Sequence, residues 1–361
     1  MHIRFLIVSL TLVFFGSLLL SLAIMPIVIR LLKKFHILDF PNYRKIHTKP
    51  IPRMAGVSIY FAFIIPLSIY FYFYNIEISG PWTGILIGST FAMLIGCADD
   101  IWNVPAVIKL ICLFLLTIII WRFGVITNLP LENFLGIDNN KYIHIAGNLS
   151  ITMLWLVGIT SALNALDHMD GMAGTISIVA AISYFFVSVQ TGQNTWALIS
   201  MGLIGSILGF LRYNWHPAKV FMGDSGSFFL GFCLASISIL GGWSSNPLKA
   251  SIIPIAIMSI PICDLFYVII TRRIKGVTHS IVESITYCGK DHIGHRLSKL
   301  GFSQAKAVIF VCLLSGSISI SALIIRHVHY FESALLLIQI VMLYLTITFF
   351  MEVILNSKKN K

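Results

Sequence analysis

Charged residues are scarce in this chain. Only 11% of its 361 residues are Asp, Glu, Lys or Arg, and 57% are hydrophobic. An ordinary soluble domain contains about 25% charged residues. So few polar side chains cannot cover a water-soluble globule of this size, which excludes a soluble enzyme, a disordered chain and a disulfide-stapled secreted module. The six cysteines show no C-x-x-C spacing and are interpreted as small hydrophobic residues.

Long apolar segments account for most of the chain. A membrane-spanning helix needs about 20 mostly apolar residues. We therefore predict an all-α, polytopic integral membrane protein with about eleven transmembrane helices, forming a single domain over residues 1–361. The first segment is too long for the apolar core of a signal peptide and is predicted to be retained. The predicted spans are 5–30, 55–75, 82–98, 105–122, 149–163, 174–190, 195–211, 226–241, 250–270, 306–325 and 331–355.

Basic residues are distributed unevenly between the gaps that separate these spans. With the N-terminus outside, twenty of the 25 Lys and Arg residues fall in inside gaps and five in outside gaps. The positive-inside rule then predicts an N-out, C-in topology, with long cytoplasmic loops at about 31–54 and 271–305. The net charge of +11 is on this interpretation mainly a topology signal, and no nucleic-acid partner is expected.

Acidic residues are rare, so their positions are informative. Asp99 and Asp100 follow the third predicted span, Asp167 and Asp170 follow the fifth, and Asp224 precedes the eighth. Solvation by lipid headgroups explains any one of them as well as function does, but five on the predicted cytoplasmic face favour a shared site. Carboxylates without a Cys or His set suit Mg²⁺ or Mn²⁺ rather than zinc.

Two glycine-containing turns and several basic residues accompany these carboxylates. The turns at 170–174 and 221–227 each open a predicted helix, where backbone N–H groups bind phosphate well. Helix capping by Asp170 or by the serines of 221–227 is the alternative. Lys109, inside a predicted helix, either contacts a pyrophosphate or extends to the membrane interface.

Two basic loops lie on the predicted cytoplasmic side. Residues 41–53 and 290–296 are both rich in Lys, Arg and His, and binding to anionic lipid headgroups is the default interpretation of such loops. The His-x-x-His-Arg pattern in the second loop is less easily explained in that way. No third zinc ligand is obvious beside its histidines, which favours contact with phosphate or sugar.

Four segments together resemble the polyprenyl-phosphate N-acetylhexosamine-1-phosphate transferases, a family that includes the peptidoglycan translocase and the bacterial enzymes that initiate teichoic acid and O-antigen synthesis. The resemblance is closer to the latter branch and extends from about residue 40 to 305. Each segment alone is unspecific, and the loop RKIHTKPIPRMAG (44–56) also matches in style. The segments are CADDIWNV (97–104), NALDHMDGMAG (164–174), NWHPAKVFMGDSGS (214–227) and DHIGHRL (291–297).

The resemblance implies a reaction, a cofactor and a location. The phosphate of undecaprenyl or another polyprenyl phosphate attacks the sugar-bound phosphate of a UDP-sugar, for example UDP-GlcNAc, and UMP leaves. The cofactor is Mg²⁺ or Mn²⁺, which offsets the repulsion between two phosphates. The expected location is a bacterial inner membrane with the site on its cytoplasmic face. The expected partners are the UDP-sugar and the polyprenyl phosphate, and a homodimer is left open.

The resemblance also implies roles for individual residues. Asp224 and Asp167 are expected to bind the metal, although the family more often has Asn at the position of Asp167. Asp99 is expected to activate the lipid phosphate with support from Asp100, and Lys109 to hold the pyrophosphate; a covalent route through an Asp nucleophile is the alternative that the family leaves open. The residues expected to bind substrate are Asn164, Asp170, Gly171, Asn214, Phe221, His292, His295 and Arg296.

Three alternative functions fit the sequence less well. Membrane prenyltransferases pair two D-x-x-x-D motifs, and Asp99-Asp100 has no following Asp at that spacing. CDP-alcohol phosphotransferases need a run of spaced Asp residues that is absent here. A transporter of a phosphorylated lipid or sugar typically shows internal repeats and mid-membrane polar residues, whereas here the polar residues cluster at one face.

Overall fold

The computed structural model describes residues 2–41, 49–76, 79–131, 141–287 and 289–359. These residues form helices almost throughout, with one short pair of strands between the first two helices. The elements are α1 (His2–Lys34), β1 (Leu38–Asp39), β2 (Ile51–Pro52), α2 (Val57–Phe73), α3 (Gly80–Trp102), α4 (Ala106–Trp121), α5 (Lys141–Leu166), α6 (Met172–Gln190), α7 (Asn194–Asn214), α8 (Gly223–Leu240), α9 (Pro247–Ile257), α10 (Ser259–Ile274), α11 (Ile281–Thr286), α12 (Ile293–Lys299), α13 (Gln304–Ile325) and α14 (Tyr330–Lys359).

Each predicted span coincides with an apolar helix or with a bent pair of helices. In the described part of the chain, eight helices are long and apolar enough to cross a membrane. The pair α9 and α10 counts as one more span, and α2 and α4 are shorter apolar helices. The all-α membrane fold is therefore confirmed, and the chain is an integral membrane protein. The number of crossings and the N-out topology stay predictions.

Several helices extend further than the predicted spans. Asp99 and Asp100 lie in the last turn of α3 rather than after it, and Asp224 lies in the first turn of α8 rather than before it. Helix α5 begins at Lys141, eight residues before the predicted start. Polar Asn148 can lie inside this helix because its side-chain amide is bonded to the backbone N–H and C=O of Leu129, at 2.8 and 3.1 Å.

Helix α8 forms the centre of the bundle. It packs against α3 and α5 and has smaller contacts with α2 and α6. Of its residues, 78% are buried. Glycines allow the close approach. A Cβ at Gly96 of α3 would lie 2.2 Å from the backbone O of Asp224, and one at Gly231 would lie 2.6 Å from Cα of Thr160 on α5. This packing fixes the N-terminus of α8 beside the end of α3.

The strands β1 and β2 pair antiparallel, with Leu38 opposite Pro52 and Asp39 opposite Ile51. Strand β2 then runs beside the segment before α8, because Phe221 N–H donates to the C=O of Pro52 at 2.8 Å. The predicted basic loop is thus docked against the start of α8. Residues 42–48 of that loop lie outside the described residues, as does Cys288.

Helices α9 and α10 meet at an angle of 73° at Met258. Pro254 lies inside α9 and Pro261 lies in the first turn of α10. Proline is a common cause of sharp bends because it removes a backbone donor. After the bend α10 carries Asp264 towards the loop that contains α11 and α12.

Candidate active site

One end of the bundle holds a cavity of about 920 Å³, which we call the central pocket. The ends of α3, α7 and α8 contribute to its wall, together with the two strands and α12. Acidic and basic side chains both line it, an arrangement suited to a ligand that carries phosphate groups together with a cation. They include Asp100, Asp167, Asp170 and Asp224, and Lys33, Lys49, Arg53, Lys219 and Lys290.

Both carboxylate oxygens of Asp224 are engaged by side chains from other helices. Lys109 Nζ on α4 donates to Oδ2 at 2.8 Å, and Asn164 Nδ2 on α5 donates to Oδ1 at 3.0 Å. Asn164 also donates to Ser227 Oγ at 2.9 Å, one turn further along α8. Since the first turn of a helix favours a negative charge, Asp224 is both oriented and stabilised as a carboxylate.

Lys109 joins two of the predicted carboxylates. Its Nζ lies 3.1 Å from Asp99 Oδ2 and 2.8 Å from Asp224 Oδ2. The ammonium group also lies 5.6 Å from the centre of the Phe228 ring. Lys109 is therefore directed into the cluster of carboxylates and does not extend to the membrane interface.

Asp100 performs a different task from its neighbour Asp99. Its two carboxylate oxygens accept the backbone N–H groups of Asp224 and Ser225, each at 3.1 Å. Asp100 is only 5% exposed, and Arg53 donates to its backbone carbonyl oxygen. The residue thus caps the first turn of α8 from another helix, which places it in a positioning role.

Asp167 lies in the turn after α5 and accepts a hydrogen bond from the backbone N–H of Gly223. Burial, followed by the negative charges of Asp224, Asp100 and Asp170, raises the pKa of Asp167 well above its usual range. Several carboxylates are thus crowded together around this part of the pocket. A bound cation would relieve their mutual repulsion.

The donor atoms around Lys109 suit a hard divalent cation. They are carboxylate oxygens of Asp99 and Asp224, with Asp167 nearby, and the side chains directed at Lys109 include no thiolate or imidazole. Within the described ranges, no three His, Cys, Asp or Glu side chains form a ready-made metal centre. Mg²⁺ commonly binds one or two carboxylates and takes its other ligands from substrate phosphates and water, so these residues fit such an ion.

Asp170, Gly171 and Asn214 hold the backbone around the pocket. Asp170 Oδ2 lies 2.8 Å from His216 Nδ1 and accepts the N–H of Ala218 at 3.1 Å. Asn214, 2% exposed, accepts the N–H of Gly171 at 3.0 Å and donates to the C=O of Val220 at 2.8 Å. These residues connect the turn after α5 to the segment before α8.

Phe221, which is predicted to bind substrate, lies in the wall of the central pocket. Its backbone is fixed on both sides, because its N–H donates to Pro52 and its C=O accepts the N–H of Ala55 at 3.1 Å. An aromatic ring held in this way offers a stacking face to a planar base.

The predicted His-x-x-His-Arg group is divided by α12. His295 lines the central pocket together with Lys290. His292 and Arg296 are buried and turn towards Asp264, whose carboxylate lies 2.7 Å from His292 Nδ1 and 3.3 Å from an Arg296 nitrogen. His292 and Arg296 are not among the residues that line the central pocket, and their contact with substrate stays a prediction. They anchor α12, and His295 faces the pocket.

Asp264 is the centre of this anchor, and sequence reasoning missed it. Its carboxylate is 1% exposed and also accepts the N–H of Ile293 at 2.8 Å and the hydroxyl of Tyr344 at 3.1 Å. A carboxylate inside the apolar segment 250–270 was the available signal, because ionisable groups within spans are costly.

His168 is a second residue that sequence reasoning missed. Its ring centre lies 4.6 Å from that of His295 and 5.3 Å from that of His292. Burial, followed by the charges of His292 and His295, lowers the pKa of His168 to about 3. Burial and the charges of His292 and nearby lysines lower the pKa of His295 to about 4. Both rings are therefore neutral at pH 7. A histidine between two motif aspartates was the signal.

Known proteins resemble this chain over the region that contains the pocket carboxylates. The model of glycosyl transferase family 4 matches residues 82–242, which contain Asp99, Asp100, Lys109, Asp167 and Asp224. The matched region thus runs from α3 to the end of α8, and the loop of α12 lies beyond it.

Several relatives match most of the length of this chain. The chain is 33% identical over 314 residues to a probable undecaprenyl-phosphate N-acetylglucosaminyl 1-phosphate transferase of Bacillus subtilis, covering 87% of this chain and 84% of the relative. It is 27% identical over 312 residues to a decaprenyl-phosphate N-acetylglucosaminephosphotransferase of Mycolicibacterium smegmatis, covering 80% and 75%. It is 29% identical over 306 residues to a phospho-N-acetylmuramoyl-pentapeptide-transferase of Caldicellulosiruptor bescii, covering 81% and 90%.

Proposed function

Because the chain belongs to the family of polyprenyl-phosphate N-acetylhexosamine-1-phosphate transferases, we propose that it transfers a sugar-1-phosphate from a UDP-sugar to polyprenyl phosphate. One observation carries the assignment of the site. Lys109 lies between Asp99 and Asp224 beside a pocket that also contains basic side chains. Two anionic phosphates must meet in this reaction, and such a pocket provides charges of both signs to hold them.

The reaction exchanges one phosphoryl bond for another. An oxygen of the polyprenyl phosphate attacks the phosphorus atom that carries the sugar. The bond between that phosphorus and the bridging oxygen of UMP breaks, and UMP leaves with the electron pair. The product is a polyprenyl-pyrophosphoryl sugar. The acceptor phosphate is already largely ionised at neutral pH, so a general base contributes little and positioning contributes most.

Asp224 is our first choice as ligand of Mg²⁺ or Mn²⁺, with Asp99 and Asp167 beside it. When bound, the cation supplies charge neutralisation at the phosphate oxygens. Lys109, held by the same carboxylates, is suited to contact the pyrophosphate as it forms. Asp100 keeps the first turn of α8, and with it Asp224, in place.

The remaining pocket residues are assigned to the donor. The side chain of Phe221, with its backbone fixed by β2, stacks on the uracil ring. His295, on α12, and Lys290, just before it, also line the pocket and contact the sugar and its phosphate. Relatives named for N-acetylglucosamine transfer make UDP-GlcNAc the first donor to test, with undecaprenyl phosphate as acceptor. The positive-inside rule and the basic loops favour the cytoplasmic face of a bacterial membrane as the location of the pocket.

The test uses the full chain purified in detergent with undecaprenyl phosphate, Mg²⁺ and a panel of UDP-sugars. UMP release with one sugar is the expected result. Asp224→Asn should lose this activity while unfolding at nearly the wild-type temperature. Glu332→Gln is the matched control, because Glu332 bonds the backbone N–H of His329 and does not line the pocket. No UMP from any donor, while an active relative assayed in parallel releases it, would contradict the proposal.

A further inference from the structure

His168 is fixed between two histidines and the end of a helix. Its ring stacks on that of His292 at an interplanar angle of 29° and is tilted by 32° to that of His295. Its Nδ1 lies 2.8 Å from the backbone oxygen of Ala165. This contact requires the proton on Nδ1, because a carbonyl oxygen only accepts. The ring therefore has one defined orientation relative to α5.

Gly294 makes the space that this ring occupies. A Cβ at position 294 would lie 2.7 Å from His168 Nε2 and 2.6 Å from Met169 Sδ. Any larger residue at 294 would have to displace the imidazole or the backbone of α12. The glycine and the histidine thus form a matched pair across the contact between α12 and the turn after α5.

Helix α12 is also held by Asp264. Its carboxylate contacts His292 at 2.7 Å and the N–H of Ile293 at 2.8 Å. Asp264 and His168 therefore both hold the start of α12. Of the predicted residues His292, His295 and Arg296, only His295 lines the central pocket from this helix.

Simple filling of space does not account for a histidine here. His168 Nε2 is buried and has no hydrogen-bond partner among the described residues. A buried polar atom without a partner is destabilising, and an apolar side chain would fill the same volume without that cost. The contact of Nδ1 with Ala165 and the two neighbouring histidine rings indicate that this imidazole orients the side chains around it.

We propose that His168 is a positioning residue for the donor: seated over Gly294, it holds His295 in the pocket wall where the sugar and its phosphate bind. The inference rests on the proposed function, since it concerns the same pocket. His168 acts through His295 and through the placement of α12. It need not touch the substrate.

The test compares three single variants and one double variant in steady-state UMP release. His168→Ala should raise the KM for the UDP-sugar about tenfold with a smaller change in kcat, because the donor is misplaced rather than the reacting groups removed. His168→Phe keeps a ring between the histidines but loses the bond to the backbone oxygen of Ala165, so it should restore the donor KM only in part, to between about threefold and tenfold of wild type. Gly294→Ala should act like His168→Ala, because its Cβ displaces the ring.

The double variant separates a coupled pair from two independent defects. His168→Ala with Gly294→Ala should be no worse than His168→Ala alone, because the imidazole that the new Cβ meets has gone and the flexible Met169 side chain can then shift into the space that the imidazole leaves. The Mg²⁺ midpoint and the KM for polyprenyl phosphate should stay at wild-type values in each variant. Thermal unfolding in the same detergent identifies variants that are not folded, and Gly294→Ala and His168→Phe carry the test if His168→Ala is one of them.

An active His168→Ala enzyme with the wild-type donor KM would overturn the inference alone, and so would single-variant effects that simply multiply in the double variant. Equal shifts in donor KM, acceptor KM and Mg²⁺ midpoint would also overturn it, because they would indicate general loosening of the site. A wild-type chain that releases no UMP would instead overturn the proposed function, and the inference with it.

Discussion

The carboxylate of Asp100 on α3 caps the helix that carries Asp224. Its two oxygens accept the backbone N–H groups of Asp224 and Ser225, each at 3.1 Å. The first N–H groups of a helix have no partner within the helix, so a carboxylate here stabilises the turn. It also fixes where the Asp224 side chain starts. Two adjacent aspartates thus have separate tasks, with Asp99 paired to Lys109 and Asp100 paired to the backbone.

We expect Asp100→Asn to lower both stability and activity. The amide retains one acceptor oxygen in place of two, and loss of a helix cap costs about 1 kcal/mol. Activity should fall further than this stability loss explains, because Asp224 moves with the first turn of α8. Thermal unfolding and UMP release measure the two effects. Glu332→Gln, which alters a carboxylate that bonds the His329 N–H just before α14, should change stability only. Full activity in Asp100→Asn would show that the Asp100 carboxylate is not needed to position the site.

Lys109→Met should change metal binding and catalysis in opposite directions. The ammonium group neutralises Asp99 and Asp224 at 3.1 and 2.8 Å. Without it the two carboxylates attract a divalent cation more strongly, so Mg²⁺ should stabilise the variant at lower concentration than the wild type. The rate of UMP release should fall by about 10²-fold, because a charge that stabilises the transferring phosphate is removed. Mg²⁺ titrations of the unfolding temperature and of activity test both effects. An unchanged Mg²⁺ midpoint would place the cation elsewhere.

The sequence predicted the membrane helices and the carboxylates for clear physical reasons. An apolar segment of spanning length has few other structural outcomes. Charged residues are so rare here that Asp99 and Asp224 stand out although 125 positions separate them along the chain. The structure brings both to Lys109. The rarity of charge and the positions of these aspartates at the ends of predicted spans therefore indicated that they lie together.

Other parts of the site depend on contacts that sequence patterns do not encode. Asp170 and Asn214 line the pocket as expected of substrate residues, but their side chains also join two segments of this chain, which the sequence did not indicate. His292 and Arg296 were predicted to contact substrate together with His295. In the structure their side chains contact Asp264, whereas His295 lines the pocket. Such assignments need the direction of each side chain, which follows from packing rather than from residue type.

Gly223→Ala should disrupt both the fold and the site. Gly223 has φ +73°, and a Cβ there would lie 2.5 Å from Asp100 Oδ2 and 2.8 Å from the backbone N of Met54. Left-handed backbone alone costs an L-residue about 1–2 kcal/mol, and the clash with the capping carboxylate adds to it. Gly276→Ala is the matched control, because Gly276 has φ +66° but nothing lies within 4 Å of its Cβ position. Gly276→Ala should lose only the stability that the left-handed backbone costs an L-residue, and it should keep its activity. Equal unfolding temperatures for the two variants would contradict the clash.

The pH dependence of stability should contain a contribution from His295. Burial, followed by the positive charges of His292, Lys290 and Lys299, lowers the pKa of His295 from 6.5 to about 4. The unfolded chain therefore binds a proton more readily than the folded one, so stability present above about pH 6.5 is lost as the pH falls towards 4. Removing the imidazole removes this loss. The unfolding temperature of His295→Gln should fall less than that of the wild type between pH 7 and pH 5. His327→Gln, at an exposed position, controls for loss of an imidazole. Parallel pH curves for wild type and His295→Gln would mean that His295 is not held neutral in the folded protein.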